Sequence, residues 1–252
     1  MAIDLNCDMG ESFGVYTLGD DDAMLDIVTS ANVACGFHAG DPLVMHRTIT
    51  RALANGVAVG AHPSYLDLWG FGRRQIIGDT PEEIVQMMVY QIGAIQAVAA
   101  AAGHKVTYVK PHGALANRAA VDQDIANAIA DAIRRIDPEL VFMVMPGMAT
   151  ERAGETHDLR IVREVYADRT YDDNGNLTSR KKEGAVIHDP DAAADRVVRM
   201  LEEQAITTVS GAKLPAHIDT VCVHGDNPAA VAMARRIRAA LEAGGATIAP
   251  FS

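Results

Sequence analysis

A chain of 252 residues with 49% hydrophobic and 22% charged residues is long enough for one large α/β domain with a sizeable core. Its net charge of −11 argues against nucleic acid or an anionic membrane surface as partner, since both need a basic face. An anionic small molecule in a local cationic pocket stays open. Aromatic residues make up 5%, with Trp69 the one tryptophan, so stacking platforms for bases or long sugars are scarce.

Along the chain, IDLNCD (3–8) reads as a first strand and SANVACG (30–36) as a second. The latter runs through a glycine-hinged turn to Asp41-Pro42, an N-cap followed by proline at the first helical position. Asn55-Gly56 closes that helix, and VAVGAH (57–62) follows as a strand. TPEE (80–83) is a capping box opening the apolar stretch 84–103. That stretch nearly has the length of a membrane span, but Gln86, Gln91 and Gln96 interrupt it, so a core or subunit-interface helix is expected.

VTYVKPH (106–112), LVFMVMP (140–146) and LRIVREVYAD (159–168) supply the next strands. Residues 169–184 depart from the rhythm. Asn174-Gly175 there is a hairpin signal, and Arg180, Lys181 and Lys182 read as a solvated charge run. Asp189-Pro190 opens a helix, TVCVHGD (220–226) is a seventh strand, and a final helix runs from Asn227-Pro228 to Gly244-Gly245.

Most of these strands are continuous apolar runs, as in parallel strands covered on both faces. Alternation of strand and helix without a biased linker predicts a single α/β domain over 1–252, with barrel-like closure favoured over an open sheet. Cys7, Cys35 and Cys222 lack framework spacing, and residues 1–11 lack the regions of a signal peptide. A soluble, cytoplasmic chain is the expectation.

The unusual polar residues fall after strands: Asn6, Asp8 and Glu11; His38 and Asp41; His62; Lys110 and His112; Glu164 and Asp168; His224 and Asp226. In parallel α/β folds those ends form the face on which sites are built. Singly, Asp41 reads as an N-cap and His38 as a turn histidine, while His46, His104, His157 and His217 lie in helix or connecting positions. Together, four histidines, several carboxylates and a lysine on one face point to an active site. GAKLPA (211–216) lacks phosphate-loop spacing, and neither G-x-S-x-G nor H-E-x-x-H nor a zinc-spaced cysteine pair occurs. Acid/base or metal-assisted hydrolysis is what remains.

DLNCDMGESFG (4–14), ANVACGFHAGDP (31–42), GAHPSYLDLWGFGRR (60–74), VKPHGAL (109–115), EVYADRTYDDNGNL (164–177) and VHGD (223–226) resemble the LamB/YcsF family from first strand to last. Leu68-Trp69, in the loop after His62, is where variation is expected. The resemblance implies a distorted TIM-like (βα)7 barrel related to the glycoside hydrolase/deacetylase superfamily. It also implies ATP-dependent opening of 5-oxoproline to L-glutamate, with this chain as the A component of a 5-oxoprolinase beside B and C subunits. ATP with Mg would then be bound mainly by those partners.

Such chemistry needs a base for water, a cation for the developing oxyanion or phosphate, and an acid for the leaving nitrogen. Lys110 is assigned the cation. His112 or His62 is assigned the base, oriented by Asp8 or Glu11. Asn6, His38, His224 and Asp226 complete the substrate rim, and Arg73 and Arg74 are candidates for the substrate carboxylate. Two rivals stand beside this reading: a non-catalytic metabolite-binding subunit, and a stand-alone metal-dependent amidase or deacetylase using Asp8, His38 and His62 as ligands. Homo-oligomer formation is left open.

Overall fold

The first strand, β1 (Ala2–Met9), alternates Ile3, Leu5, Cys7 and Met9 with Asp4, Asn6 and Asp8. A two-residue repeat sends these sets to opposite faces. The apolar set joins the main core, whereas the polar set meets Ser30, Asn32 and Thr220 across the strands. The computed structural model describes residues 2–225 and 227–251.

After β1 come α1 (Asp21–Leu25), β2 (Ser30–Ala34), α2 (Pro42–Asn55), β3 (Ala58–His62), α3 (Pro81–Ala101) and β4 (Val106–Val109). Then follow α4 (Gly113–Ala119), α5 (Gln123–Ile136), β5 (Val141–Val144), α6 (Ala149–Thr156) and β6 (Ile161–Tyr166). The chain ends with α7 (Pro190–Glu203), β7 (Ala205–Thr207), β8 (Lys213–Pro215), β9 (Thr220–Val223), α8 (Pro228–Ala243) and β10 (Thr247–Ile248).

Strands β1 to β6 pair in chain order, all parallel; β6 pairs with β9 and β9 with β1. Seven strands therefore close into a TIM-like barrel, and β10 lies beside the start of β1. Closure expected from the repeat is found, and the seventh strand is the one read at 220–226.

The inner face differs from the expectation that most strands are apolar on both faces. Asp4, Asn6, Ser30, Asn32, Lys110, Glu164 and Thr220 are all buried. Only the lower end of the interior is apolar, where Tyr108, Val141, Met143 and Val162 pack with Phe251 beneath them. Gly60 makes room for Tyr108, since a Cβ there would lie 2.1 Å from the tyrosine ring.

The caps read in the sequence form. Asp41 Oδ1 accepts from the N–H groups of Leu43 and Val44 at 2.8 and 3.0 Å, worth about 1 kcal/mol. Its Oδ2 accepts from Gly14 N–H at 2.7 Å, so the same side chain ties down the loop after β1. Thr80 and Glu83 form the capping box of α3. That helix is long and apolar enough by composition to cross a membrane, yet it lies on the barrel wall with Ile84, Met88, Ile92 and Ile95 buried. Gln91, also buried, exchanges hydrogen bonds with both backbone groups of Ser64.

Residues 169–184 form the expected hairpin-like excursion, with Tyr171 bridging Leu177 and Gly175 at φ +85° in the turn. The antiparallel pair β7–β8 was not expected. Its three-residue strands are too short to carry a periodic signal.

Candidate active site

At the carboxyl end of the barrel, Asp8 is the hub. Its Oδ1 lies 2.9 Å from Lys110 Nζ and accepts from Asn32 Nδ2 at 2.8 Å, while Oδ2 lies 3.3 Å from His62 Nε2. Tyr108 O–H donates to Asn32 Oδ1 at 2.7 Å, so the amide that supports Asp8 is itself held from the barrel floor. Lys110 follows β4, and its Nζ also reaches Glu164 Oε1 at 2.7 Å and Asn6 Oδ1 at 3.3 Å.

Burial alone would raise the Asp8 carboxyl, but His62 and Lys110 beside it outweigh this and hold the group well below the usual carboxylate range. Burial likewise opposes the Lys110 charge, and Asp8, Cys222 and Glu164 more than restore it. Lys110 is therefore a fixed cation. With 3% of its side chain exposed and its protons taken by these partners, it sits beneath the cavity rather than in its wall.

Three imidazoles gather beside Asp8. His62 ends β3, and its Nδ1–H donates to the Lys110 carbonyl at 2.7 Å. His112 caps the start of α4 without a side-chain cap bond, and its Nε2–H donates to the Phe71 carbonyl at 2.9 Å. A carbonyl only accepts, so each assignment of the proton is forced. His38, from the turn after β2, stacks on His112 with ring centroids 3.9 Å apart and planes 8° off parallel. Glu11 Oε1 lies 3.5 Å from His38 Nε2 and 3.9 Å from His112 Nδ1.

Burial, with the neighbouring imidazoles, keeps His38 and His112 well below the ordinary histidine range. Burial and the adjacent Asp8 raise the Glu11 carboxyl.

The loop after β3 supplies the Phe71 carbonyl by unusual backbone geometry. Phe71 has φ +54° and Gly72 φ +64°. A left-handed Phe costs about 1–2 kcal/mol. At Gly72 a Cβ would lie 2.5 Å from Ser64 Oγ and 2.8 Å from both His112 Cδ2 and His38 Cβ, so only glycine fits over the imidazole pair.

Across the mouth, His224 Nδ1 lies 2.8 Å from Asp168 Oδ2. Burial disfavours the imidazolium, but the Asp168 carboxylate outweighs it and raises His224 above the ordinary histidine range. A cavity of about 340 Å³ opens between the two groups, lined by Asp8, Glu11, Phe71, Arg73, His112 and His224 among others.

Of the residues singled out in the sequence, Asp8, Glu11, Arg73, His112 and His224 thus share one cavity. His38 and His62 stand behind His112. Asn6 lies below, donating to Thr220 Oγ1 at 2.8 Å and accepting from Asn32. Arg74 is held by Asp67, its Nε 2.7 Å from Oδ1, and is not brought to the cavity. Asp226 lies outside the described residues.

The rival reading's ligands, Asp8, His38 and His62, share two members with a cluster of possible donors. Glu11, His38, His62 and His112 each bring a donor atom within 4.8 Å of the others, while Asp8 Oδ1 is taken up by Lys110 and Asn32. Asn32, Glu164 and Phe71 received no role from the sequence. An amide inside the run SANVACG was the available sign for Asn32, whereas nothing local marks a carbonyl such as that of Phe71.

The model of the LamB/YcsF family matches residues 3–252. The A subunit of the 5-oxoprolinase of Rhodopseudomonas palustris (strain BisB5) is 56% identical over 252 residues, covering 100% of this chain and 99% of that protein. The crystal structure of a lactam utilization protein from Thermus thermophilus superimposes with a TM-score of 0.93 at 42% identity, covering 100% of both chains. The catalytic domain of a peptidoglycan N-acetylglucosamine deacetylase from Eubacterium rectale shares the fold alone, with a TM-score of 0.53 at 11% identity over 100% of this chain and 88% of that one. On the match along its whole length and the identity to these relatives, this chain belongs to the LamB/YcsF family.

Proposed function

We propose that this chain is the A component of an ATP-dependent 5-oxoprolinase and carries the hydrolytic opening of the lactam to L-glutamate. The observation that carries the reading is the cavity itself. On one side it presents the carboxylate–imidazole group of Asp8, Glu11 and His112, and on the other the His224–Asp168 pair. The relatives named as the A subunits of 5-oxoprolinases support the substrate.

A five-membered lactam is an unstrained amide and a poor electrophile. In this reading the B and C partners, with ATP and Mg, activate its carbonyl oxygen by phosphorylation, which fits a chain without a phosphate loop. Water then adds to the activated carbon, and its proton passes to the group around Glu11, His62 and His112. Two environments push the flanking histidines apart, His112 toward the neutral form and His224 toward the charged one, the pattern of a base and an acid. His224 protonates the ring nitrogen as its bond to that carbon breaks, Asp168 sustaining the imidazolium until it does so. The acyl phosphate that results loses its phosphate to a second water to give L-glutamate. Arg73 is the cation in the cavity wall and pairs with the substrate carboxylate. Lys110 acts through Asp8, holding that carboxylate ionised and in place.

The chain works as one barrel domain in the cytoplasm in this reading. Glutamate release from 5-oxoproline and ATP by the three reconstituted proteins tests it. Turnover that needs all three is expected. A correctly assembled mixture that releases no glutamate overturns the assignment.

A further inference from the structure

The donors and acceptors around His62 and His112 do not balance. His62 uses its Nδ1–H on the Lys110 carbonyl, and His112 uses its Nε2–H on the Phe71 carbonyl. In their neutral forms each ring is left with one lone pair, on Nε2 and on Nδ1, and these two atoms face each other at 3.0 Å. Two lone pairs at that distance repel unless a cation lies between them. Asp8 Oδ2, 3.3 Å from His62 Nε2, adds another acceptor to the same space.

Two further groups point the same way. His38 is fully buried, and neither of its ring nitrogens has a hydrogen-bond partner. Glu11 Oε1 is likewise a buried oxygen without a hydrogen-bond partner. A single proton between His62 and His112 would relieve their repulsion but leave His38 and Glu11 unserved. Buried polar atoms without partners cost about 1–3 kcal/mol each, so three of them on one spot signal a missing ligand.

We infer that Glu11, His38, His62 and His112 form a binding site for a first-row divalent transition ion of the zinc class. Three imidazoles and one carboxylate are the borderline donor set that selects such ions over magnesium or calcium, which take oxygen ligands. Tetrahedral ligands at zinc distances lie about 3.3 Å from one another. The donor atoms here span 3.0 Å to 4.8 Å, close to that spacing before an ion draws them in. The parallel rings of His38 and His112 send their lone pairs side by side, so His38 is the ligand that turns on binding. The Lys110 and Phe71 carbonyls already orient two of the rings, as ligand histidines require. Glu11 and His112 line the cavity and are the ligands on the side that water or substrate can reach.

This rests on the hydrolytic reading for the place where water is activated and deepens it: with an ion bound, Glu11, His62 and His112 would act as its ligands, and the ion rather than those side chains would acidify the water. The ligand set itself stands on side-chain geometry alone, so its test uses no substrate. The full chain is stripped with a chelator, then titrated with Co²⁺ alone and with Zn²⁺ in competition, while bound metal and visible absorption are measured. Expected are about one ion per chain, the intense bands of a low-coordinate cobalt site, and no displacement by excess Mg²⁺.

His38→Ala, His112→Gln and Glu11→Gln, checked for fold by near-ultraviolet circular dichroism, should each weaken binding at least about 100-fold. Asp8→Asn should keep the stoichiometry. No cobalt bound at micromolar concentration by the folded wild-type chain overturns the site and leaves a shared proton between His62 and His112. Binding that survives the ligand variants, or is lost in Asp8→Asn, overturns the ligand set. In neither case does the result depend on whether the complex opens the lactam.

Discussion

Lys110 Nζ lies 2.7 Å from Glu164 Oε1 inside the barrel, and each side chain is 3% exposed. The same ammonium holds Asp8 at 2.9 Å, so one cation serves two carboxylates. Removing it leaves both negative charges without their counterion. Lys110→Met is therefore expected to cost about 3–5 kcal/mol in denaturant unfolding and to lower turnover of the assembled enzyme at least about 1,000-fold. Adding Glu164→Gln should recover part of the stability and none of the turnover. Recovery of both would mean that Lys110 serves packing alone.

Gly72 tests the strained loop. Gly72→Ala forces a Cβ against Ser64, His112 and His38 at a positive φ. The expected stability loss is modest, about 1–2 kcal/mol, whereas displacement of His112 should lower kcat about 100-fold. A variant that melts like wild type and keeps full kcat would show that the Phe71 carbonyl does not position His112.

In the proposed mechanism Asp168 sets the pH range over which His224 stays an acid. Its carboxylate raises His224 despite burial, so Asp168→Asn lowers it and the imidazolium is lost at a lower pH. The alkaline limb of the kcat profile should then move toward neutrality, with the acidic limb in place. A profile that only scales down, with both limbs unmoved, would assign Asp168 to substrate binding.

Asp4 gives a stability signature separate from activity. Burial raises its carboxyl to about 6, against an ordinary value of 3.8, even though Thr220, Thr29 and Ser30 donate to it. A raised folded value means that the protonated side chain favours folding. Its contribution is full below about pH 4 and is lost as the pH rises through about 6. The unfolding free energy of wild type should fall relative to Asp4→Asn by up to about 3 kcal/mol over that interval. Parallel curves for the two proteins would contradict it.

The seven strands, the helix starts and the strand-end ring of polar groups were legible because each has a local signature. Asp41-Pro42 caps α2 as its sequence states, and the runs at 106–109 and 141–144 are strands where the pattern puts them. The polar barrel interior was not legible in advance, although β1 shows it as the alternation of Asp4, Asn6 and Asp8. Its partners lie on strands distant in sequence, and pairing register decides who meets whom: Asp8 stands beside Asn32, and Glu164 beside Thr220.

Site chemistry depended on the same non-local facts. Lys110 reads as an available cation until Glu164 and Asp8 are seen to hold it. Arg73 and Arg74 are neighbours in sequence, yet one lines the cavity and the other is bound to Asp67. Glu11 rather than Asp8 enters the proposed metal-ligand set because a carboxylate's free oxygens are a property of the folded neighbourhood.

The most direct test of the account is glutamate release from 5-oxoproline and ATP by this chain combined with the proposed B and C subunits, with each protein omitted in turn and His112→Ala run in parallel. Turnover that requires all three proteins, and falls at least about 1,000-fold in the folded variant, is the predicted result. Turnover unchanged in His112→Ala, or undiminished when this chain is left out, would contradict a hydrolytic site at the mouth of this barrel.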